Sequence, residues 1–244
     1  MPGSNARAGA SRSGHCSGTC AGGDSHSKKS RVASERDEQK RAACRNGRRA
    51  ETGGVQKRAA FGQAVAPLAL EDLVFLDEAG FSLSLYRLYG WGLRGGALVE
   101  PVPSCRGKNL SVLGAFDSEG MIASASKVGA MKRVDLERFL KRELLPRLLP
   151  GSVLVLDNAR IHPGGEIEKL VEKAGCRLLY LPPYSPDLKP IELAWSWIKN
   201  RVRQRAPRDE ASRQAAIDQA IAALPADHAP AWFRHCGCLQ SLRE

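Results

Sequence analysis

No stretch of this chain stays apolar for anything near the roughly 18 residues that a membrane helix needs, and no apolar leader core follows its first residues. These absences argue against a helical membrane span and a secretory signal, so the expected setting is cytoplasmic. Cysteine occurs as seven scattered residues, an odd and unpatterned set that argues against a disulfide framework and for a reducing compartment. No internal repeat is visible. Neither a phosphate-cradling glycine loop nor a G-x-S-x-G elbow occurs, which disfavours nucleotide-dependent, pyridoxal-phosphate and serine-hydrolase chemistry. Residues 1–27 (MPGSNARAGASRSGHCSGTCAGGDSHS) hold almost no large apolar side chains. They cannot offset chain entropy by burial, so a disordered tail is expected there. His15, Cys16 and Cys20 resemble part of a zinc site but lack the nearby partners that would complete one.

What is present is a basic chain of 244 residues, 43% hydrophobic, with net charge +11 and pI about 9.6. That is enough for one sizeable domain with a tail. The surplus cations make a polyanion a plausible partner, and they are unevenly spread. Residues 1–65 hold 13 Lys/Arg against 5 acids, and KNRVRQRAPR (199–208) holds five cations and no acid. Residues 28–69 mix charge with alanine and are expected to form a basic, broken helical linker.

From about residue 70 the pattern changes. LVFL (73–76) is a short apolar run ending at Asp77-Glu78, and LSVLGAF (110–116) and MIASASKV (121–128) read as strands joined by a turn at 117–120. Leu136, Phe139, Leu140, Leu144 and Leu148 recur at helical spacing, and Pro150-Gly151 ends that helix. SVLVL (152–156) is a buried-type strand running into Asp157-Asn158. EIEKLVEKAG (166–175) is a helix closed by a left-handed Gly175, and RLLYL (177–181) is a further strand. A hairpin followed by alternating helix and strand predicts an α/β domain, a mixed β-sheet flanked by helices. The expected divisions are the tail 1–27, the linker 28–69, a catalytic domain 70–206 and a helical extension 207–244.

Asp77 and Asp157 are each the first polar residue after an apolar run, which places them at the carboxyl edge of the sheet, where ligands of α/β folds bind. An acid after a strand also serves as a cap or turn-former. Glu192 adds weight to the first reading. Pro190 suits the first turn of a helix, and Ile191, Ala194, Trp195, Ile198 and Val202 then form one apolar face. Glu192 lies off that face, in line with Ser196, Lys199 and Arg203, so an acid heads a basic stripe. Complementing the helix dipole accounts for about 0.3–1 kcal/mol of its placement but not for its company. Three carboxylates suit Mg²⁺ or Mn²⁺. Two such ions about 4 Å apart activate a water or 3′-hydroxyl and stabilise the leaving oxygen of a phosphodiester, and the neighbouring cations would track a DNA backbone.

LDEAGF (76–81), LDNARIH (156–162) and LPPYSPDLKPIELAW (181–195) resemble the three signature blocks of Tc/mariner-superfamily transposases with a DDE triad, and within that superfamily they suggest the bacterial insertion sequences of family 630. Thirty-four residues separate Asp157 from Glu192, the interval typical of that superfamily. The resemblance runs from about residue 28 to 236, with RLYGWGLRG (87–95) and WFRHCG (232–237) also familial in character. It implies an RNase H-like fold in which Asp77, Asp157 and Glu192 hold two Mg²⁺ or Mn²⁺ ions. It implies DNA cleavage at element ends, then attack of the freed 3′-hydroxyl on target DNA, usually at TA, by a homodimer in the bacterial nucleoid. Lys189 stands where that family commonly has Asn, and Ala79 where Thr is frequent; neither removes a carboxylate, so the chemistry is expected to survive. The 27-residue tail is too short for the usual helix-turn-helix module. The expectation is a truncated copy, or a second frame working with an upstream DNA-binding partner.

Around this triad, Lys199, Arg201, Arg203 and Arg205 are candidate phosphate contacts, or else a solvated face. Trp91, between glycines and near Arg87 and Arg94, is a candidate base-stacking or wedging residue, and equally an anchor for its loop. Glu78 would face away from Asp77 and act in support of it or in the fold alone. Asn158 and His162 are candidates to orient Asp157 or touch DNA, against a turn-forming Asn and a surface His. Trp195 and Trp197 are expected to pack, and Cys236 and Cys238 to bind no metal. The rivals to a transposase are another RNase H-like nuclease or integrase, and a non-catalytic DNA-binding remnant.

Overall fold

The computed structural model describes residues 52–87, 90–92, 97, 99, 107–157 and 165–238. The tail 1–27, most of the linker, Arg94, Asn158 and His162 lie outside the described residues. The first described element is a helix, α1 (Thr52–Val65), followed by a 3-10 turn at Leu70–Asp72 and then β1 (Leu73–Phe81). β2 (Leu110–Phe116) and β3 (Met121–Val128) form the expected hairpin. Its turn closes through the Asp117 N–H donating to Gly120 O, with the Asp117 carboxylate accepting from the Glu119 and Gly120 N–H groups.

β4 (Val153–Leu156) and β5 (Arg177–Tyr180) complete a five-stranded sheet of order β3-β2-β1-β4-β5. The β1–β2 and β2–β3 pairs are antiparallel, and the β1–β4 and β4–β5 pairs are parallel. β1 and β4 are therefore central. Both read as continuous apolar runs because helices cover both faces of the sheet.

One face packs on α2 (Arg133–Phe139) and α3 (Glu166–Lys173), burying Val74, Leu76, Leu154, Leu156, Leu136, Leu140 and Val171. The opposite face packs on α4 (Pro190–Arg205), α5 (Glu210–Ala222) and α6 (His228–His235), with Phe61 and Val65 of α1 in the same cluster. Leu73, Phe75, Ala79 and Phe81 point into this second core, because alternate residues of a strand share a face. Every predicted apolar position of α4 is buried, and Gly175 has the left-handed φ of 73° just past α3.

Two local expectations are corrected. The helix predicted through Leu148 changes form after Phe139, becoming a π turn at Leu140–Leu144 and a 3-10 turn at Leu145–Arg147. Pro146 lacks the N–H that an α-helix would use there, and the widened turn keeps both Leu140 and Leu144 in the core. The second correction concerns Asp77, which lies inside its strand. β1 pairs with β4 only over Leu73–Leu76, but with β2 over Phe75–Phe81. The β2 ladder holds β1 extended past the acid.

Candidate active site

The parallel register fixes the first two carboxylates. Leu76 lies opposite Leu156, so Asp77 and Asp157 are each the next residue along adjacent strands. β4 ends there while β1 continues, which leaves the Asp157 side chain half-exposed at 49% and Asp77 mostly covered at 14%. The third carboxylate arrives from α4. Pro190 occupies its first turn, and Glu192 follows within that turn, its side chain 44% exposed. α4 lies over the sheet through Trp195, whose ring meets Phe81 edge-on with centroids 6.2 Å apart. No Cβ fits at Gly114, the residue opposite Asp77, because it would stand 2.7 Å from the Trp195 ring.

The three acids converge on a cation of the chain itself. Lys189 Nζ donates to Asp77 Oδ1 at 2.8 Å and to Asp157 Oδ2 at 3.4 Å, and stands 3.7 Å from Glu192 Oε1. Its side chain is only 5% exposed. Burial works against the charged form of Lys189, yet the three carboxylates outweigh it and hold the ammonium above its ordinary pKa. Burial pushes Asp77 above the usual carboxylate range against the pull of Lys189. Burial also raises Glu192, and the neighbouring Asp77 charge adds to that shift.

The loop leading to Lys189 is pinned from a distance. Arg58 of α1 donates to Ser185 Oγ at 2.7 Å and engages both carboxylate oxygens of Asp187. A 3-10 turn at Pro186–Leu188 follows, and Pro190 confines Lys189 to an extended backbone, φ −112° and ψ 98°. Asp157, Lys189 and Glu192 line a cavity of about 350 Å³ whose wall is formed by residues 181–186.

The donor chemistry fits a hard divalent cation, since carboxylate oxygens are its preferred ligands and two of the three acids open into this cavity. Among the described residues, however, no three carboxylate, imidazole or thiol groups form a ready ligand cluster. The acids are spread around the ammonium instead.

The predicted cations of α4 divide between two flanks. Lys199 and Arg203 follow Glu192 at seven and eleven positions, on its side of the helix. The Lys199 charge works against the burial that raises Glu192, and its Nζ lies 5.8 Å from the centre of the Phe81 ring. Arg201 sits half a turn round, stacked on Trp197 at 4.8 Å, and Arg205 donates to Gln219 of α5. Arg87 donates to the Gln204 carbonyl near the end of α4, and Trp91 is fully exposed. Glu78 is exposed and points to the opposite face of the sheet from Asp77. Cys236 and Cys238 are buried free thiols in the α4-side core.

Two residues that shape the site were not among the predicted ones. The Arg58 clamp spans 127–129 positions of sequence and leaves no local signal. Lys189 left one: a lysine three residues before Glu192, immediately ahead of the helix-starting Pro190.

Residues 72–213 match the family model described as DDE superfamily endonuclease. The chain belongs to that family. The matched span runs from the turn before β1 into α5 and contains all three carboxylates and Lys189. Among curated proteins, the chain is 27% identical over 123 residues to the transposable element Tcb1 transposase of Caenorhabditis briggsae, covering 49% of this chain and 45% of that one. Among solved structures it resembles the Mos1 transposase paired-end complex with left transposon end (TM-score 0.60, 17% identity, 75% of this chain and 57% of that one). It likewise resembles the Mos1 mariner paired-end complex with Mn (TM-score 0.58, 17% identity, 74% of this chain and 56% of that one). The Mos1 catalytic domain alone matches at TM-score 0.53 and 16% identity, over 75% of this chain and 85% of that one. This DDE-family chain thus has the RNase H-like fold, and its relatives are of Tc/mariner type. It spans about half the length of the curated relative it matches.

Proposed function

We propose that this chain is the catalytic domain of a DNA transposase, cutting DNA strands and joining the freed 3′ end to a target, with Asp157 and Glu192 as the catalytic carboxylates and Asp77 as the positioning residue behind them. The observation that carries this reading is the convergence of three acids, from β1, β4 and the first turn of α4, on one buried cation position in a family of DDE endonucleases. Mn and Mg accompany the Mos1 relatives, and divalent metal is the expected cofactor here. A bound divalent ion would polarise the scissile phosphate and lower the pKa of the attacking water or 3′-hydroxyl.

The chain's own residues supply the rest. Asp157 and Glu192 face the cavity and would hold the ion. Asp77, largely covered, fixes Lys189 and sets the negative field of the site. Lys199 and Arg203 lie on the Glu192 side, where they would bind backbone phosphates as a strand enters. Arg201 and Arg205 lie on the other side of α4, against Trp197 and Gln219, and contribute less. Arg87 and the exposed Trp91 lie on the segment after β1 and would contact DNA beyond the scissile position. Element ends and a target, preferentially at TA, would be the substrates, with two copies acting together and with recognition of the ends supplied by a helix-turn-helix partner.

The test is nicking of supercoiled plasmid in Mg²⁺ or Mn²⁺ by the intact chain and by Asp157→Ala, with ligated products scored separately. Metal-dependent nicking lost in the variant supports a DDE nuclease, and joined strands establish transfer. DNA binding without metal-dependent cutting would instead identify a non-catalytic remnant.

A further inference from the structure

We infer that the ammonium of Lys189 permanently fills one of the two cation positions of this carboxylate site, so that the chain takes one exchangeable divalent ion, on Asp157 and Glu192, rather than two. This inference rests on the metal-dependent reading above and narrows it.

Three features of the structure lead to it. The first is the placement of the ammonium. Lys189 carries three N–H donors, and it has a carboxylate oxygen of Asp77, Asp157 and Glu192 at 2.8, 3.4 and 3.7 Å. An exposed lysine making an opportunistic ion pair would keep its head in water, whereas this side chain is 5% exposed.

The second is that the backbone fixes where the lysine stem starts. Residue 189 is held between a 3-10 turn and Pro190, and the preceding loop is bound by Arg58 at Ser185 and Asp187. Withdrawing Nζ from the acids would leave the mostly covered Asp77 carboxylate without the cation 2.8 Å from its oxygen.

The third is an asymmetry among the acids. Asp157 and Glu192 are about half-exposed and line the cavity, while Asp77 is 14% exposed and does not line it. Three carboxylates and one ammonium leave a net charge of −2, which one divalent ion neutralises. A second divalent ion would have to share Asp77 with a cation already 2.8 Å from its oxygen.

The consequence is a division of labour. Lys189 and Asp77 form a fixed internal pair that supplies permanent positive charge. Asp157 and Glu192 form the exchangeable half. A neutral side chain at position 189 would open the Asp77 side to a second ion.

The test is Mn²⁺ titration of the metal-free full chain, followed by loss of the free-ion paramagnetic resonance signal, with no DNA present. Wild type is expected to bind one Mn²⁺ per chain. Asp157→Ala is expected to weaken that binding at least tenfold, and Asp77→Asn less than threefold. Lys189→Asn and Lys189→Met are each expected to bind two Mn²⁺, with circular dichroism confirming that they fold.

Two ions on the wild type, or none, overturn the inference. So does a folded Lys189 variant that still binds only one. The wild-type stoichiometry decides even if both variants fail to fold. Equal binding by wild type and Asp157→Ala would overturn the metal-site reading itself, whereas two ions on the wild type that Asp157→Ala abolishes would remove only the role given to Lys189.

Discussion

The two faces of the sheet are made from alternate residues of the same strands, yet they are built to different ends. Under α2 and α3, the face carried by Val74, Leu76, Leu113, Leu154 and Leu156 is closed mainly by apolar side chains, with the Tyr180–Glu168 hydrogen bond at its edge. Under α4 the same strands present Leu73, Phe75, Ala79 and Phe81, and between Phe75 and Ala79 they place Asp77. The first face gains stability from burial at about 25 cal/mol per Å² of apolar surface. The second combines a core of similar character with a buried acid and a buried lysine, whose desolvation offsets much of their attraction.

The largest effect expected is on the charged face. Lys189→Met leaves three carboxylates facing one another with one of them covered. It should destabilise the metal-free chain by about 3–5 kcal/mol, the usual cost of breaking a buried pair from one side. Millimolar Mn²⁺ should restore much of that loss by binding the folded state. Urea unfolding with and without Mn²⁺ measures both, and a metal-independent loss would mean that Lys189 only packs.

The same variant gives a signed pH dependence. Burial already raises the Asp77 pKa, and removing Lys189 removes the pull that opposes it. A carboxyl with a raised folded pKa contributes stability that is present below its unfolded value, about 3.9, and is lost as pH rises through its folded value. Lys189→Met should therefore gain stability relative to wild type as pH is lowered from 8 toward 5.

On the apolar face, Leu140→Ala removes a fully buried side chain and should cost about 2–5 kcal/mol. Its Mn²⁺ binding per folded molecule should match wild type, which would separate the two faces cleanly. A smaller effect is expected where the α4 side is tightest. Gly114→Ala would drive a Cβ to 2.7 Å from the Trp195 ring and 2.9 Å from Met121 Sδ, costing about 1–3 kcal/mol by overpacking. Trp195 fluorescence should shift with it, and Mn²⁺ affinity should fall because the displaced ring lies over the strand beside Asp77.

The smallest effect lies in the α4-side core. Burial pushes the Cys236 thiol up to about 11 and the Cys238 thiol up to about 12. Their stabilising contribution should be complete below the unfolded value near 8.5 and decline as pH rises toward 11–12. Both should resist thiol reagents in the folded protein at neutral pH, a rate measurable by absorbance.

Much of this molecule was legible because its signals are local. The four-residue run before Asp157 and the seven-residue run at Leu110–Phe116 are strands, and the apolar spacing of Ile191 to Val202 marked the buried face of α4 correctly. What escaped the sequence depends on partners far along the chain. β1 continues past Asp77 because β2, more than thirty residues on, supplies its ladder. Arg58 holds the site loop across more than a hundred residues. Lys199, Arg201, Arg203 and Arg205 were all candidate phosphate contacts, and only Lys199 and Arg203 share the Glu192 side, while Arg201 and Arg205 meet Trp197 and Gln219. Lys189 was visible as an unusual residue in a familiar motif. Nothing local could show that its ammonium turns inward, because that depends on where Asp77 and Asp157 arrive from.

Asp157 and Glu192 are proposed to hold a divalent ion beside an ammonium that stays on Asp77. Diffraction from Mn²⁺-soaked crystals of the wild-type chain, recorded at the manganese absorption edge, tests it directly. One anomalous peak is expected in contact with Asp157 and Glu192, with Lys189 Nζ still against Asp77. Saturating Mn²⁺ that leaves these two carboxylates without a peak, or that expels Lys189 and places a second ion on Asp77, would contradict it.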